Sequence, residues 1–99
     1  MDVINMIHAS PYISRAGISD QLNISKPTVD NRIREIKEQI KAGRYNDLAV
    51  IKDGGVVLVN YLVFIDYMAN RQKLLEKNLA RTVPAFRPKK VAESIGWYE

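Results

Sequence analysis

The chain of 99 residues has no cysteine, a single histidine, a single tryptophan and only five glycines. Without a thiol there is no disulfide framework, no thiolate metal site and no cysteine nucleophile. The one histidine, His8, stands beside an expected helix end with no orienting partner, which a catalytic imidazole requires. No glycine-rich phosphate loop is present. The acidic residues stand singly or within charged helix faces, without metal-ligand spacing. Neither catalysis, a cofactor nor a metal is therefore expected. No apolar run approaches the roughly 20 residues of a membrane span. The first residues lack a basic region followed by an apolar stretch, so no secretory signal and a cytoplasmic location are expected.

What is present is enough apolar content, 46%, for one small core, and an uneven charge. The net charge is only +4, but the positive charge collects in two blocks, residues 26–44 and residues 71–90. A basic helix in the first block suits a polyanion partner. For the second block a solvated, lysine-rich face remains an equal reading.

The first block lies in the stretch Arg15 to Ala42, RAGISDQLNISKPTVDNRIREIKEQIKA, which reads as two helices joined by a very short turn. Ile18 and Leu22 sit four apart and share one face of a short first helix. Asn23 tolerates the left-handed turn conformation, and Ile24 can tuck under the turn. Ser25 offers a cap to the next helix, and Pro27 fits its first turn. Val29, Ile33, Ile36 and Ile40 form one apolar stripe, and Gly43 ends the helix. A plain two-helix hairpin in a small bundle would share this pattern.

The layout resembles the helix-turn-helix of bacterial and phage DNA-binding proteins, in apolar Ile18, small Ser19 (more often alanine there), Leu22, Asn23, Ile24, Ser25, Val29 and Ile33. The order of a short extended segment at Tyr12-Ile13, the two-helix motif and then a hairpin resembles winged-helix N-terminal domains of the biotin-repressor and DeoR types. ISDQLNISKPTVDNRIREI is similar to their ELAxxLxVSxxTVxRxIxxL pattern at Ile24-Ser25, Thr28-Val29, Arg32 and Ile33. The resemblance covers about residues 3–60. It implies a winged helix-turn-helix; with the long C-terminal helix and basic tail read from the residues below, the expected fold is mainly α with a small β-hairpin. It also implies double-stranded DNA as partner, with the second helix of the motif in the major groove.

With the apolar stripe turned inward, the outward face centres on Pro27, Asn31, Arg34 and Glu38. Thr28, Asp30, Asn31 and Arg34 are the candidate base contacts. Asn31 suits adenine N6 and N7, and Arg34 suits guanine O6 and N7. Ser25, Lys26, Lys37, Lys41, Arg44, Lys52 and Gly54 are the candidate backbone contacts. Arg34 has a competing use, because Asp30 and Glu38 both stand four residues from it; such pairs are worth only about 0.2–0.5 kcal/mol, so DNA can displace them. Arg32 flanks the stripe and covers apolar surface with its stem.

Around this motif the chain divides into residues 1–60, 60–82 and 83–99. DVINMIHA reads as an opening helix ended by Ser10-Pro11. LAVIK and VVLVN are β-branched runs separated by Asp53-Gly54-Gly55, a hairpin signal. The hairpin carries little charge, so it either touches phosphates through Lys52 and glycine N–H groups or simply closes the core. Asn60 can cap a helix running to about Arg81, roughly 30 Å at 1.5 Å per residue. Tyr61, Phe64, Ile65, Met68, Leu75 and Leu79 form one stripe of it, and Val63, Tyr67 and Leu74 a second. Val63, Tyr67, Leu74, Leu75 and Leu79 are the candidate contacts of a homodimer or another partner.

RTVPAFRPKK reads as an extended arm, a linker or a follower of phosphates, with Phe86 as anchor. A short helix, KKVAESI, follows, with Val91, Ile95 and Trp97 as apolar anchors; it reads as a docking helix in preference to the remnant of a second motif, and a recombinase or other protein is a candidate partner of this tail. The compact size and basic tail look like those of phage or mobile-element proteins, either transcriptional regulators or excisionase-like factors. A protein-interaction module on the same scaffold (antirepressor, replication adaptor or inhibitor of a host complex) is the competing expectation.

Overall fold

Ser14 sets the first turn of the described structure. Its hydroxyl accepts from the Gly17 N–H at 3.1 Å and caps a helix, α1, over Arg15–Leu22. The computed structural model describes residues 11–96, so the expected opening helix with His8, and Trp97, lie outside the described residues. Asn23 ends α1 in the left-handed region (φ 55°, ψ 48°). The Ser19 hydroxyl then donates to the Ile24 carbonyl at 2.6 Å and closes the turn. Ser25 caps α2, Lys26–Lys41, by accepting from the Thr28 N–H, with Pro27 in the first turn. Val29, Ile33 and Ile36 are buried, and Ile40 packs at the edge of the same core, as the apolar spacing expects. Gly43, at φ +94°, takes the chain out of the helix.

A short 3-10 turn at Asp47–Ala49 leads into a three-stranded antiparallel sheet. Strands β2 (Val50–Asp53) and β3 (Val56–Asn60) pair as a hairpin in which Asp53 faces Val56 across Gly54-Gly55. Gly54 adopts φ +60° at the first central position, where a residue with a Cβ is disfavoured. Strand β1 (Tyr12–Ser14) pairs with the other edge of β3, so the order is β1-β3-β2. Tyr12 also donates its hydroxyl to the Leu48 carbonyl at 2.9 Å.

The Asn60 side chain accepts from the N–H groups of Leu62 and Val63 and caps α3, Tyr61–Leu75. The single helix expected to reach Arg81 breaks at Glu76, whose backbone is extended (φ −102°, ψ 117°), and a four-residue helix, α4 (Lys77–Ala80), follows. The break has a packing cause. Past Leu74 the helix has run off the core, and a turn of helix without tertiary contacts is marginal. The chain then reverses and brings Pro84 and Phe86 back to the level of Asp66 and Tyr45. Phe86 stands edge-on to Tyr45, with ring centroids 5.2 Å apart, and so anchors the arm.

Helix α5, Pro88–Ser94, packs on α3, with Ala92 as its buried residue. Of the expected anchors, Val91 is half-buried and Ile95 exposed. Helix α3 is thus covered on two sides, which corrects the partner contacts read from its second stripe. Val63 and Tyr67, at 2% and 0% exposure, are interior residues of this chain, and Leu74 packs against the same core. Leu75 and Leu79, at 55% and 39%, remain on the surface. Among the described residues no helix is long and apolar enough to cross a membrane.

Candidate nucleic-acid interface

Two hydrogen-bond networks hold α2 from behind, and neither is evident in the sequence. At its centre Glu35 accepts from the Tyr67 hydroxyl at 2.7 Å, from Arg71 Nε at 2.8 Å and Nη2 at 3.2 Å, and from Arg32 at 3.4 Å. The Arg71 bond holds the Glu35 carboxyl below its ordinary range against the opposing effect of burial. Burial, and then the bond to Glu35, push the Tyr67 hydroxyl up to about 12. Arg32 thus spends its charge on Glu35, with its Nε buried without a partner.

The second network lies just past the end of α2 and overturns one expected backbone contact. Arg44 donates to Asp66 Oδ2 through Nη2 at 2.9 Å and Nε at 3.2 Å, and to the Pro84 carbonyl through Nη1 at 2.8 Å. The Tyr45 hydroxyl donates to the same carboxylate oxygen at 2.6 Å. The side chains of Arg44 and Asp66 are only 10% and 9% exposed. A guanidinium neutralised and enclosed in this way is a structural tie between α2, α3 and the arm, not a group presented to a phosphate.

With its back fixed, α2 turns Lys26, Asp30, Asn31, Arg34, Glu38 and Lys41 outward, with Ser25 exposed just before it and Thr28 half-buried. The Ser25 and Thr28 hydroxyls are 2.8 Å apart and share a hydrogen bond at the helix start. Both acids that compete for Arg34 in the sequence are engaged elsewhere. Asp30 pairs with Arg15 of α1 at 3.3 Å, and Glu38 pairs with Lys41 at 3.4 Å. The Arg34 side chain makes no hydrogen bond or ion pair among the described residues, and neither does the Asn31 side chain.

The fold also gathers cations that are far apart in the chain. Arg15, Arg34, Lys37 and Lys52 line a cavity of about 170 Å³ between α2 and the hairpin, together with Asp30, Ile33 and Val57. Lys37 is half-buried there, and burial, followed by the adjacent Lys52 ammonium, holds its pKa below the ordinary range. Gly54 lies at the exposed tip of the same hairpin. Arg15 was not legible as a site residue, because only the crossing of α1 and α2 brings it to Asp30.

Electrostatically this is one open, cation-rich side made from α1, α2 and β2, with an uncommitted amide and guanidinium on its helix. A separate groove of about 600 Å³ runs between α3 and the returning chain, lined by Ile65, Ala69, Arg87, Lys90, Val91 and Ile95 among others. Compared with protein-family models, with curated proteins and with solved structures, the chain finds no match in any of the three.

Proposed function

We propose that the chain is a winged helix-turn-helix protein that reads double-stranded DNA, with α2 in the major groove and the β2–β3 hairpin as its wing. The observation that carries this reading is the state of Arg34 and Asn31. Both stand outward on a helix whose other face is buried and tied, and both are without partners among the described residues. A free bidentate donor and a free amide at i and i+3 are what base-edge recognition needs. Thr28 and Asp30 flank them. Ser25, Lys26, Lys37, Lys41, Lys52 and Gly54 surround the same face and supply phosphate contacts. The role proposed for such a reader is that of a small regulator of phage or mobile-element type, a transcriptional regulator or an excisionase-like factor. Exposed Leu75 and Leu79 are the surface through which two copies would pair.

The test is a gel-shift series on genomic fragments combined with a salt titration. The expected result is a preferred fragment whose affinity falls steeply with salt. Binding with neither sequence preference nor salt dependence overturns the reading.

A second reading, a protein-interaction module on this scaffold, is favoured by the groove beside α3. Ile65, Ala69, Val91 and Ile95 line it together with Asp66, Asn70, Arg87 and Lys90. Alanine at Asn31 and Arg34 separates the two, since the second reading leaves partner binding unchanged.

A further inference from the structure

The cavity between α2 and the hairpin holds a charge arrangement that its own residues do not resolve. Asp30 is the one acid among its described lining residues, and it is already paired with Arg15. Lys37 and Lys52 are left side by side over a floor of Ile33 and Val57, with no acid partner among the described residues. They come from different elements, α2 and β2, and the buried Ile33 and the half-buried Val57 fix both backbones beneath them. Two ammonium groups held together in this way repel each other until an anion lies between them. The cavity, about 170 Å³, has room for one small oxyanion.

We propose that Lys37 and Lys52 form a receptor for a single phosphate group, with Arg34 at its rim, so that the helix and the hairpin grip the same phosphate. Phosphate fits better than carboxylate, because its oxygens point in several directions and take donors from two elements at once. Lysine is suited to this as a compact charge with three rotatable donors. The source of that phosphate as a duplex backbone rests on the DNA reading above. A free phosphorylated molecule presents the same chemistry, and the experiment distinguishes the two.

The experiment uses the full chain as wild type, Lys37→Met, Lys52→Met and the double variant. None is expected to lower the melting temperature, since each relieves like-charge repulsion. On the preferred duplex, the slope of log affinity against log salt stays close to wild type in each single variant, because the remaining lysine still neutralises the phosphate. In the double variant it falls by about 0.9, the loss of one phosphate. Each single variant accordingly keeps most of the affinity that the double variant loses. Slopes that fall by about 0.9 in each single variant and about 1.8 in the double one mean two separate phosphates and overturn the shared receptor. So does an unchanged slope in the double variant.

Without DNA, inorganic pyrophosphate is titrated while the lysine side-chain NMR signals are followed. Saturable shifts at Lys37 and Lys52 that vanish in the double variant support the receptor. If they occur in a protein that binds no duplex, the ligand is a free phosphorylated molecule and the DNA reading alone falls. Shared-phosphate behaviour on DNA without pyrophosphate binding assigns the site to the duplex backbone. Failure of both overturns the proposal.

Discussion

The Tyr67 hydroxyl donates to Glu35 Oε1 at 2.7 Å, from the buried side of α3 to the inner side of α2. This bond joins the helix that presents Asn31 and Arg34 to the centre of the core. Tyr67→Phe keeps the ring and its packing and removes only the donor. Glu35 keeps Arg71, so its charge stays partly compensated. A hydrogen bond to a charged group is worth about 1.5–3 kcal/mol. Urea unfolding is expected to show a loss at the lower end of that range.

The same carboxylate makes stability depend on pH. Its folded pKa lies below the ordinary value of 4.5, mainly through the Arg71 hydrogen bond. The stabilisation is therefore fully present above that ordinary value and is lost as pH falls through the lower, folded value. Melting temperature recorded from neutral pH down to pH 3 should drop more steeply for wild type below about pH 4.5 than for Glu35→Gln. The variant should be less stable at neutral pH and converge with wild type in acid.

Arg44 offers a test that separates structure from DNA contact. Arg44→Met leaves the enclosed Asp66 carboxylate with Tyr45 alone as a short side-chain donor. Removing one member of a buried pair typically costs about 3–5 kcal/mol. The expected outcome is a large fall in unfolding free energy with an unchanged salt slope for duplex binding at a temperature where the variant is folded. A slope reduced by about 0.9 would return Arg44 to the backbone contacts.

Gly17 lies inside α1, where alanine is the better helix former by about 1 kcal/mol. Here the preference is reversed by packing. A Cβ at this position would stand 2.7 Å from Ile13 Cγ1 and 3.2 Å from the capping Ser14 hydroxyl. Ile13 is in β1, opposite Val59, so it has little freedom to withdraw. Overpacking typically costs about 1–3 kcal/mol, so Gly17→Ala should be neutral to destabilising in thermal melts, despite its helix propensity.

What could be read from the sequence was what depends on neighbours in the chain. The Ser25 cap, Pro27, the Asn23 turn and the Val29–Ile33–Ile36 stripe follow from local backbone chemistry and one helical period. Asp53-Gly54-Gly55 placed the hairpin for the same reason. The two stripes of α3 could not be assigned to core or surface, because periodicity does not say how many sides a helix buries. Packing of α3 on α2 decides that: the Tyr67 hydroxyl meets Glu35, and Val63 and Tyr67 join the core of Val29, Ile33 and Ile36. Charge was least legible. Asp30 chose Arg15 over Arg34, Arg44 chose Asp66, and Lys37 met Lys52, each through a tertiary crossing that spacing does not encode.

The release of Arg34 from both helical neighbours gives the sharpest functional expectation. Its side chain is exposed and makes no bond among the described residues, so Arg34→Ala removes nothing from the folded state. An exposed substitution of this kind is usually within about 0.5 kcal/mol of wild type in stability. On the DNA reading proposed above, the same change removes a bidentate base contact on a preferred duplex, worth about 1–3 kcal/mol, or roughly a tenfold loss in affinity. That loss should be confined to one base position, so a panel of single-base variants of the site becomes indistinguishable there for the mutant. Lys41→Ala is the control. Its pairing with Glu38 is exposed, and the substitution should weaken all sequences alike while leaving the preference intact. A uniform loss for Arg34→Ala, with discrimination retained at every position, would move Arg34 from the bases to the phosphates.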